Sequence, residues 1–206
     1  KLQRLFLIEA TKYNVLPLDD RRVERFNSDL AGRPVLVKGK TQLLFGGMGR
    51  LSENCVLSIK NKSHSVTAEI EVPAGGGNGT LLAQGGRFGG WSLYVEDGVP
   101  AYDYNFLGLQ RTSIVSAKPL APGKATVRFE FAYDGGGPGK GGIGTLFVNG
   151  AKVAEARIEQ TQAGLFSADE TADVGIDLGT PVVEAIGAEA KSRFNGRIGK
   201  FTVETK

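Results

Sequence analysis

The feature that most constrains this chain is a period-two alternation that recurs, segment after segment, between glycine-bearing turns. Val66, Ala68, Ile70 and Val72 alternate with Thr67, Glu69 and Glu71, and the run stops at Pro73. Trp91, Leu93 and Val95 alternate with Ser92, Tyr94 and Glu96. Tyr102, Tyr104 and Phe106 do the same, as do Val127, Phe129, Phe131 and Tyr133, and finally Phe201 and Val203. Successive side chains of a strand point to opposite faces, so each run predicts a strand with one buried face. Asp97-Gly98 and Asn149-Gly150 supply the positive φ angles of tight hairpins. The second follows Leu146-Phe147-Val148 and precedes a further strand over 152–158. The fold class expected is mainly β, an antiparallel jelly-roll β-sandwich with a short N-terminal helical segment. The 30 glycines have no collagen period and fall largely at the expected turns.

Residues 1–26 follow a different grammar. They hold no glycine, and Leu2, Leu5, Phe6 and Glu9 carry helical spacing. Pro17 disfavours the α region at Leu16 and stops the helix by about Val15. So short a segment cannot bury its own apolar face, so it needs a surface to pack on. The expected organisation is therefore an N-terminal piece over 1–30 and a sandwich over 41–206. The chain opens at Lys1 without an initiator Met, which reads as a processed or cut protein. The net charge is +3, with no dense Lys/Arg run, so nucleic acid and acidic membrane surfaces are not default partners. No stretch approaches the roughly 18 apolar residues of a membrane span. The single cysteine, Cys55, excludes an intrachain disulfide.

Several motifs tempt. Gly137-Pro138-Gly139-Lys140-Gly141-Gly142 fits the dinucleotide fingerprint in letters, but a strand rather than a helix follows it, so it reads as a hairpin loop. His64 is the only histidine and sits in a turn-like context, which predicts a surface side chain. Cys55 reads as a small core residue. Asp169, Asp173 and Asp177, with Glu170 between them, form a spaced acidic run; calcium takes such oxygen ligands, although the spacing is not that of an EF-hand. Trp91, Tyr102 and Tyr104 are candidates for an aromatic platform on which a sugar stacks, and equally for the sandwich core. Glu69 and Glu71 share one strand face, but no acidic strand of the sandwich-glucanase kind is present, which argues against a glycosidase.

Gly90-Trp91-Ser92-Leu93-Tyr94-Val95, the hairpin at Asn149-Gly150 and Phe194-Asn195-Gly196-Arg197-Ile198-Gly199-Lys200 resemble segments of concanavalin-like and laminin-G sandwich domains. Lys12-Tyr13-Asn14-Val15-Leu16-Pro17-Leu18-Asp19-Asp20-Arg21 resembles the stretch that closes bacterial arylsulfatases of the type-I sulfatase family. Leu43-Leu44-Phe45-Gly46-Gly47-Met48-Gly49-Arg50 and Phe131-Ala132-Tyr133-Asp134-Gly135 look like the region after it. This resemblance implies a non-catalytic C-terminal accessory domain, packing on a sulfatase catalytic domain of the same chain through Leu5, Phe6, Leu18, Arg21 and Arg22. It also implies a bacterial source, with the periplasm and the cytoplasm both open as compartments. The family's C/S-x-P-S-R nucleophile motif is absent, so no catalysis is expected here and no cofactor in this segment. Calcium belongs to the catalytic domain of such a parent. The alternative is a carbohydrate-binding, lectin-like module. Exposed sheet edges leave a homo-oligomer open.

Overall fold

The computed structural model describes residues 1–18 and 26–206. Helix α1 (Leu2–Lys12) is followed by a single-turn α2 (Ser28–Ala31), and the regular elements after it are strands apart from short 3-10 turns at Glu53–Cys55 and Glu189–Lys191. The strands are β1 (Thr41–Leu44), β2 (His64–Val72), β3 (Gly79–Gly86), β4 (Gly89–Glu96), β5 (Val99–Phe106) and β6 (Gln110–Val115). They continue with β7 (Gly123–Tyr133), β8 (Lys140–Val148), β9 (Ala151–Gln160), β10 (Ala172–Val174) and β11 (Arg197–Thr205). One sheet runs β1-β11-β2-β7-β8-β9 and the other β10-β3-β4-β5-β6, with each neighbouring pair antiparallel. This is the jelly-roll sandwich expected from the alternation.

The inward residues are those that the period-two reading selected. Val66, Ala68, Ile70 and Val72 of β2 face Trp91, Leu93 and Val95 of β4 across a single core. Three aromatic rings cross it. Trp91 stacks on Tyr102 with ring centres 5.9 Å apart, and Tyr102 lies flat on Phe129 at 3.5 Å and 4°. Trp91 and Tyr102 belong to one sheet and Phe129 to the other, so the column ties the two layers together. Trp91 donates its Nε1–H to Gln84 Oε1 at 3.2 Å, which satisfies its one polar atom inside the core.

The column needs room on β8. A Cβ at Gly144 would stand 2.6 Å from Ile114 Cδ1 and 2.8 Å from the Phe129 ring, so glycine at 144 lets the ring lie down. Strand β3 escaped the sequence reading because its alternation is broken. Its pairing with β4 shifts between Thr80 and Leu82, and Leu81 and Leu82 are both fully buried as a result.

Two expectations are corrected. His64 is not a surface residue: it opens β2, is buried, and packs 5.3 Å from Phe131. The β2–β7 pairing carries it inside, because His64 stands opposite Phe131 in register. Cys55 is not core: it lies exposed in a 3-10 turn at Glu53–Cys55, with Sγ 3.3 Å from Ser52 Oγ. The edge strand β9 carries Lys152, Glu155, Arg157 and Glu159, charges of the kind that discourage further strand addition.

Two substitutions test the column. Phe129→Ala should cost about 3–5 kcal/mol, the usual range for a large ring removed from a packed core. Gly144→Ala should cost about 1–3 kcal/mol by overpacking against the same ring. Urea unfolding of both proteins reads the effect directly, and a Gly144→Ala protein as stable as the parent would contradict the described packing.

Candidate functional site

The side chains singled out in the sequence separate in space. Trp91, Tyr102 and Tyr104 are all buried between the sheets, so they form no surface platform. The Tyr104 hydroxyl accepts a hydrogen bond from Gln162 N at 2.7 Å. The sandwich needs these rings as its filling, which is why the same alternation that suggests a platform produces a core. The small cavity beside them, about 10 Å³, has space for nothing larger than a water molecule.

The acidic run does not converge on a cation site either. Asp169 is exposed while Asp173 and Asp177 are buried. Asp173 accepts from Arg50 N at 2.6 Å and from the Thr171 hydroxyl at 3.0 Å, which ties the 46–50 loop to β10. Asp177 Oδ2 accepts from Val182 N at 2.9 Å, and its other oxygen has no partner. Among the described residues no group of three or more His, Cys, Asp or Glu side chains is arranged to hold a metal ion. Asp173 and Asp177 thus cap and cross-link loops.

Of the residues expected to touch another domain, Leu5, Phe6 and Leu18 are exposed. Arg21 and Arg22 lie outside the described residues.

The two sheets differ in what covers them. The outer face of the five-stranded sheet is covered: Val182, Val183 and Ile186 pack on Ala83, Tyr94 and Ala101. Beneath that cover Tyr94 donates to Asp103 at 3.0 Å, and burial raises the Asp103 carboxyl above its ordinary range. The outer face of the six-stranded sheet carries polar side chains in register. Arg197, Glu71 and Lys124 form one row across β11, β2 and β7, and Lys200, Glu69 and Thr126 form the next. Lys200 pairs with Glu69 at 2.9 Å.

These rows line a groove of about 370 Å³, with Glu69, Glu71, Lys124, Thr126, Asn149 and Arg197 around it. Asn149, at φ 48° in the β8–β9 turn, accepts from Thr126 N at 2.8 Å and so is held in place. A second hollow, about 460 Å³, lies on the other side of Arg197 and is lined by Gly46, Gly47, Gly49 and Arg193. Among the described residues neither Arg193 nor Arg197 has an ion-pair partner. The groove thus offers free donors and acceptors of both charges, with no nucleophile and base set to each other. Sequence reasoning placed Glu69 and Glu71 on one face. It missed Lys124 and Arg197, which the β11-β2-β7 register brings beside them, and Asn149, which the β8–β9 turn sets against Thr126.

The architecture has counterparts among solved structures. The CBM40 module of a Ruminococcus gnavus IT-sialidase matches with TM-score 0.50 and 14% identity, over 83% of this chain and 92% of that one. The same module bound to α2,3 sialyllactose matches with TM-score 0.51, at the same identity and coverage. This chain has the jelly-roll fold of those modules. Mouse laminin α1 domains LG4-5 match more loosely, with TM-score 0.46 and 18% identity over 83% of this chain and 43% of that one. No family model and no curated protein matches the chain. The arylsulfatase resemblance therefore stands on the quoted segments alone; the structural neighbours of this jelly roll do not extend it.

Two buried groups contribute to the pH response of the jelly roll with opposite signs, and the raised Asp103 carboxyl acts on the same side as the second of them. Desolvation lowers the His64 pKa from 6.5 to about 4, and the hydrogen bond to the Lys62 carbonyl opposes it only in part. Between these values the unfolded chain holds the extra proton, so stability should rise with pH and be complete above about 6.5. Burial raises the Asp177 carboxyl from 3.8 to about 7, with Asp173 and Glu170 adding to the effect. There the folded chain holds the extra proton, so its contribution is full below about 3.8 and is lost as pH rises towards 7. Thermal unfolding from pH 4 to 8 should show the acid-side loss shrinking in His64→Leu and the alkaline-side loss shrinking in Asp177→Asn. Unchanged slopes in both variants would contradict these assignments.

Proposed function

We propose that this chain is a non-catalytic, lectin-like carbohydrate-binding module. The observation that carries the reading is the uncovered polar groove on the six-stranded sheet. Carboxylates and a guanidinium each present paired atoms to neighbouring hydroxyls, the arrangement that vicinal diols of a sugar ring require. The volume is within the range of small-ligand sites, and the walls stand on strands rather than on loops. The jelly-roll fold is compatible with this use, since the CBM40 neighbour carries sialyllactose; at 14% identity that likeness bears on the fold only.

In this reading Arg197 and Lys124 donate to ring oxygens and hydroxyls, and Glu69 and Glu71 accept. The groove is open and carries no large aromatic ring, so affinity should be weak, about 0.01–1 mM.

A second reading keeps the accessory role beside a catalytic domain, a sulfatase on the sequence resemblance. Helix α1 favours it: Leu2, Leu5, Phe6, Leu7 and Ile8 are all exposed, and among the described residues only Ala10 of the helix is buried. The two roles are compatible, because α1 and the groove use different surfaces. Neither role includes catalysis by this chain.

Titration calorimetry against a panel of neutral, sialylated and sulfated oligosaccharides tests the leading reading. The expected result is saturable binding to at least one glycan. Arg197→Ala and Glu71→Ala should each weaken it by tenfold or more with unchanged thermal stability. Trp91 is buried away from the groove, so its fluorescence should stay constant during the titration. Absence of heat across the panel would overturn the reading.

A further inference from the structure

The β8–β9 turn that borders the groove carries a chemistry of its own. Asn-Gly occurs three times in the chain, at Asn78-Gly79, Asn149-Gly150 and Asn195-Gly196. In that dipeptide no Cβ keeps the glycine amide nitrogen away from the preceding side chain. The nitrogen can attack the asparagine Cγ, and the freedom of the local backbone decides whether it does. The fold treats the three pairs differently.

Two pairs are locked together. Asn78 N donates to Asn195 Oδ1 at 2.8 Å, and Asn195 N donates to the Asn78 carbonyl at 3.0 Å. Asn195 Nδ2 donates to the Gly76 carbonyl at 3.1 Å, and Asp97 N donates to Asn78 Oδ1 at 3.0 Å. Their glycines are wedged. A Cβ at Gly79 would stand 2.6 Å from the Arg193 carbonyl oxygen, and one at Gly196 would stand 2.4 Å from the Glu71 carbonyl oxygen. Neither backbone can turn its nitrogen onto Cγ without breaking packed contacts.

Asn149-Gly150 has that freedom. Both residues are exposed, and a Cβ at Gly150 would meet nothing within 4 Å. Among the described residues no hydrogen bond holds Gly150 N or Asn149 Nδ2, the attacking and the leaving nitrogen. Asn149 Oδ1 accepts from Thr126 N at 2.8 Å, so an N–H stands where negative charge collects when Cγ is attacked. The side-chain oxygens of Asn78 and Asn195 also accept from a backbone N–H, so the free glycine is what sets Asn149 apart.

We propose that Asn149 is a self-modifying site, at which Gly150 N displaces the side-chain amide and a carboxylate takes its place beside the groove. Gly150 N gives its proton to solvent hydroxide and bonds to Cγ. The Cγ–Nδ2 bond breaks, and Nδ2 takes a proton and leaves as ammonia. Water then opens the cyclic imide, at one carbonyl to aspartate and at the other to isoaspartate. The charged residues lining the groove are balanced, Glu69 and Glu71 against Lys124 and Arg197, so the new carboxylate makes the lining net acidic. The isoaspartate product also lengthens the backbone of the turn that sets Val148 opposite Ala151.

The test is to hold the full chain at mildly alkaline pH, folded and in urea, and to map its peptides by mass spectrometry. Each lost amide shows as a gain of about one dalton. In urea the three Asn-Gly pairs should react within about threefold of one another. In the folded protein Asn149 should react at least tenfold faster than Asn78 and Asn195, at a rate that rises with pH. Asn149→Gln should remove most of the acidic species that ion exchange resolves on ageing, because glutamine must close a larger ring. Asn78 or Asn195 keeping pace with Asn149 in the folded protein would overturn the proposal, as would an Asn149 that reacts in urea and stays intact when folded. Peptide mapping involves no glycan, so its outcome is separate from that of the carbohydrate reading.

Discussion

The stacked contact of Tyr102 on Phe129 is the constraint on which the rest of this molecule depends. Two sheets twist past each other, and something large and flat must fill the gap where their inner faces meet. Here that filling is a column of three rings, and its neighbours are chosen around it. Gly144 clears space on one side, Gln84 answers the indole N–H, and His64 closes one end against Phe129 and Phe131. The histidine is held neutral by the same dry surroundings.

Spending the aromatic residues on the interior shapes the outside. The sheet that supplies Trp91 and Tyr102 also has its outer face covered by the 175–192 segment, with Val182 and Ile186 as a second, smaller core. Among the described residues the opposite sheet keeps the open face, and the rows that line its groove are Arg197, Glu71 and Lys124, then Lys200, Glu69 and Thr126. A surface of that composition recognises by hydrogen bonds rather than by stacking. The exposed apolar side chains include those of α1 and the turn residues Phe88, Leu107 and Leu109.

Much of the sandwich was legible because alternation is a local signal: Val66 to Val72 and Trp91 to Val95 announce a buried face without any knowledge of their partners. Strand β3 was not legible, because a register shift puts Leu81 and Leu82 both inside. His64 was misread for a related reason: its neighbours in sequence look like a turn, and only pairing with β7 draws it inwards. The groove was half visible. Glu69 and Glu71 announce an outward face, but Lys124 and Arg197 come from strands distant in sequence and Asn149 from the β8–β9 turn, so their meeting depends on sheet order. Composition cannot encode that order. The aromatic platform failed because one pattern serves both a core and a stacking surface, and burial alone separates them.

Strands β1 and β11 lie side by side, with Thr41 opposite Glu204. The sandwich is therefore entered and left at the same corner. A pull applied through those two points acts across the strands and loads the rungs of the ladder one pair at a time. Under tension this body should open like a zip from that corner, at low force, instead of resisting as strands do when they are sheared along their length.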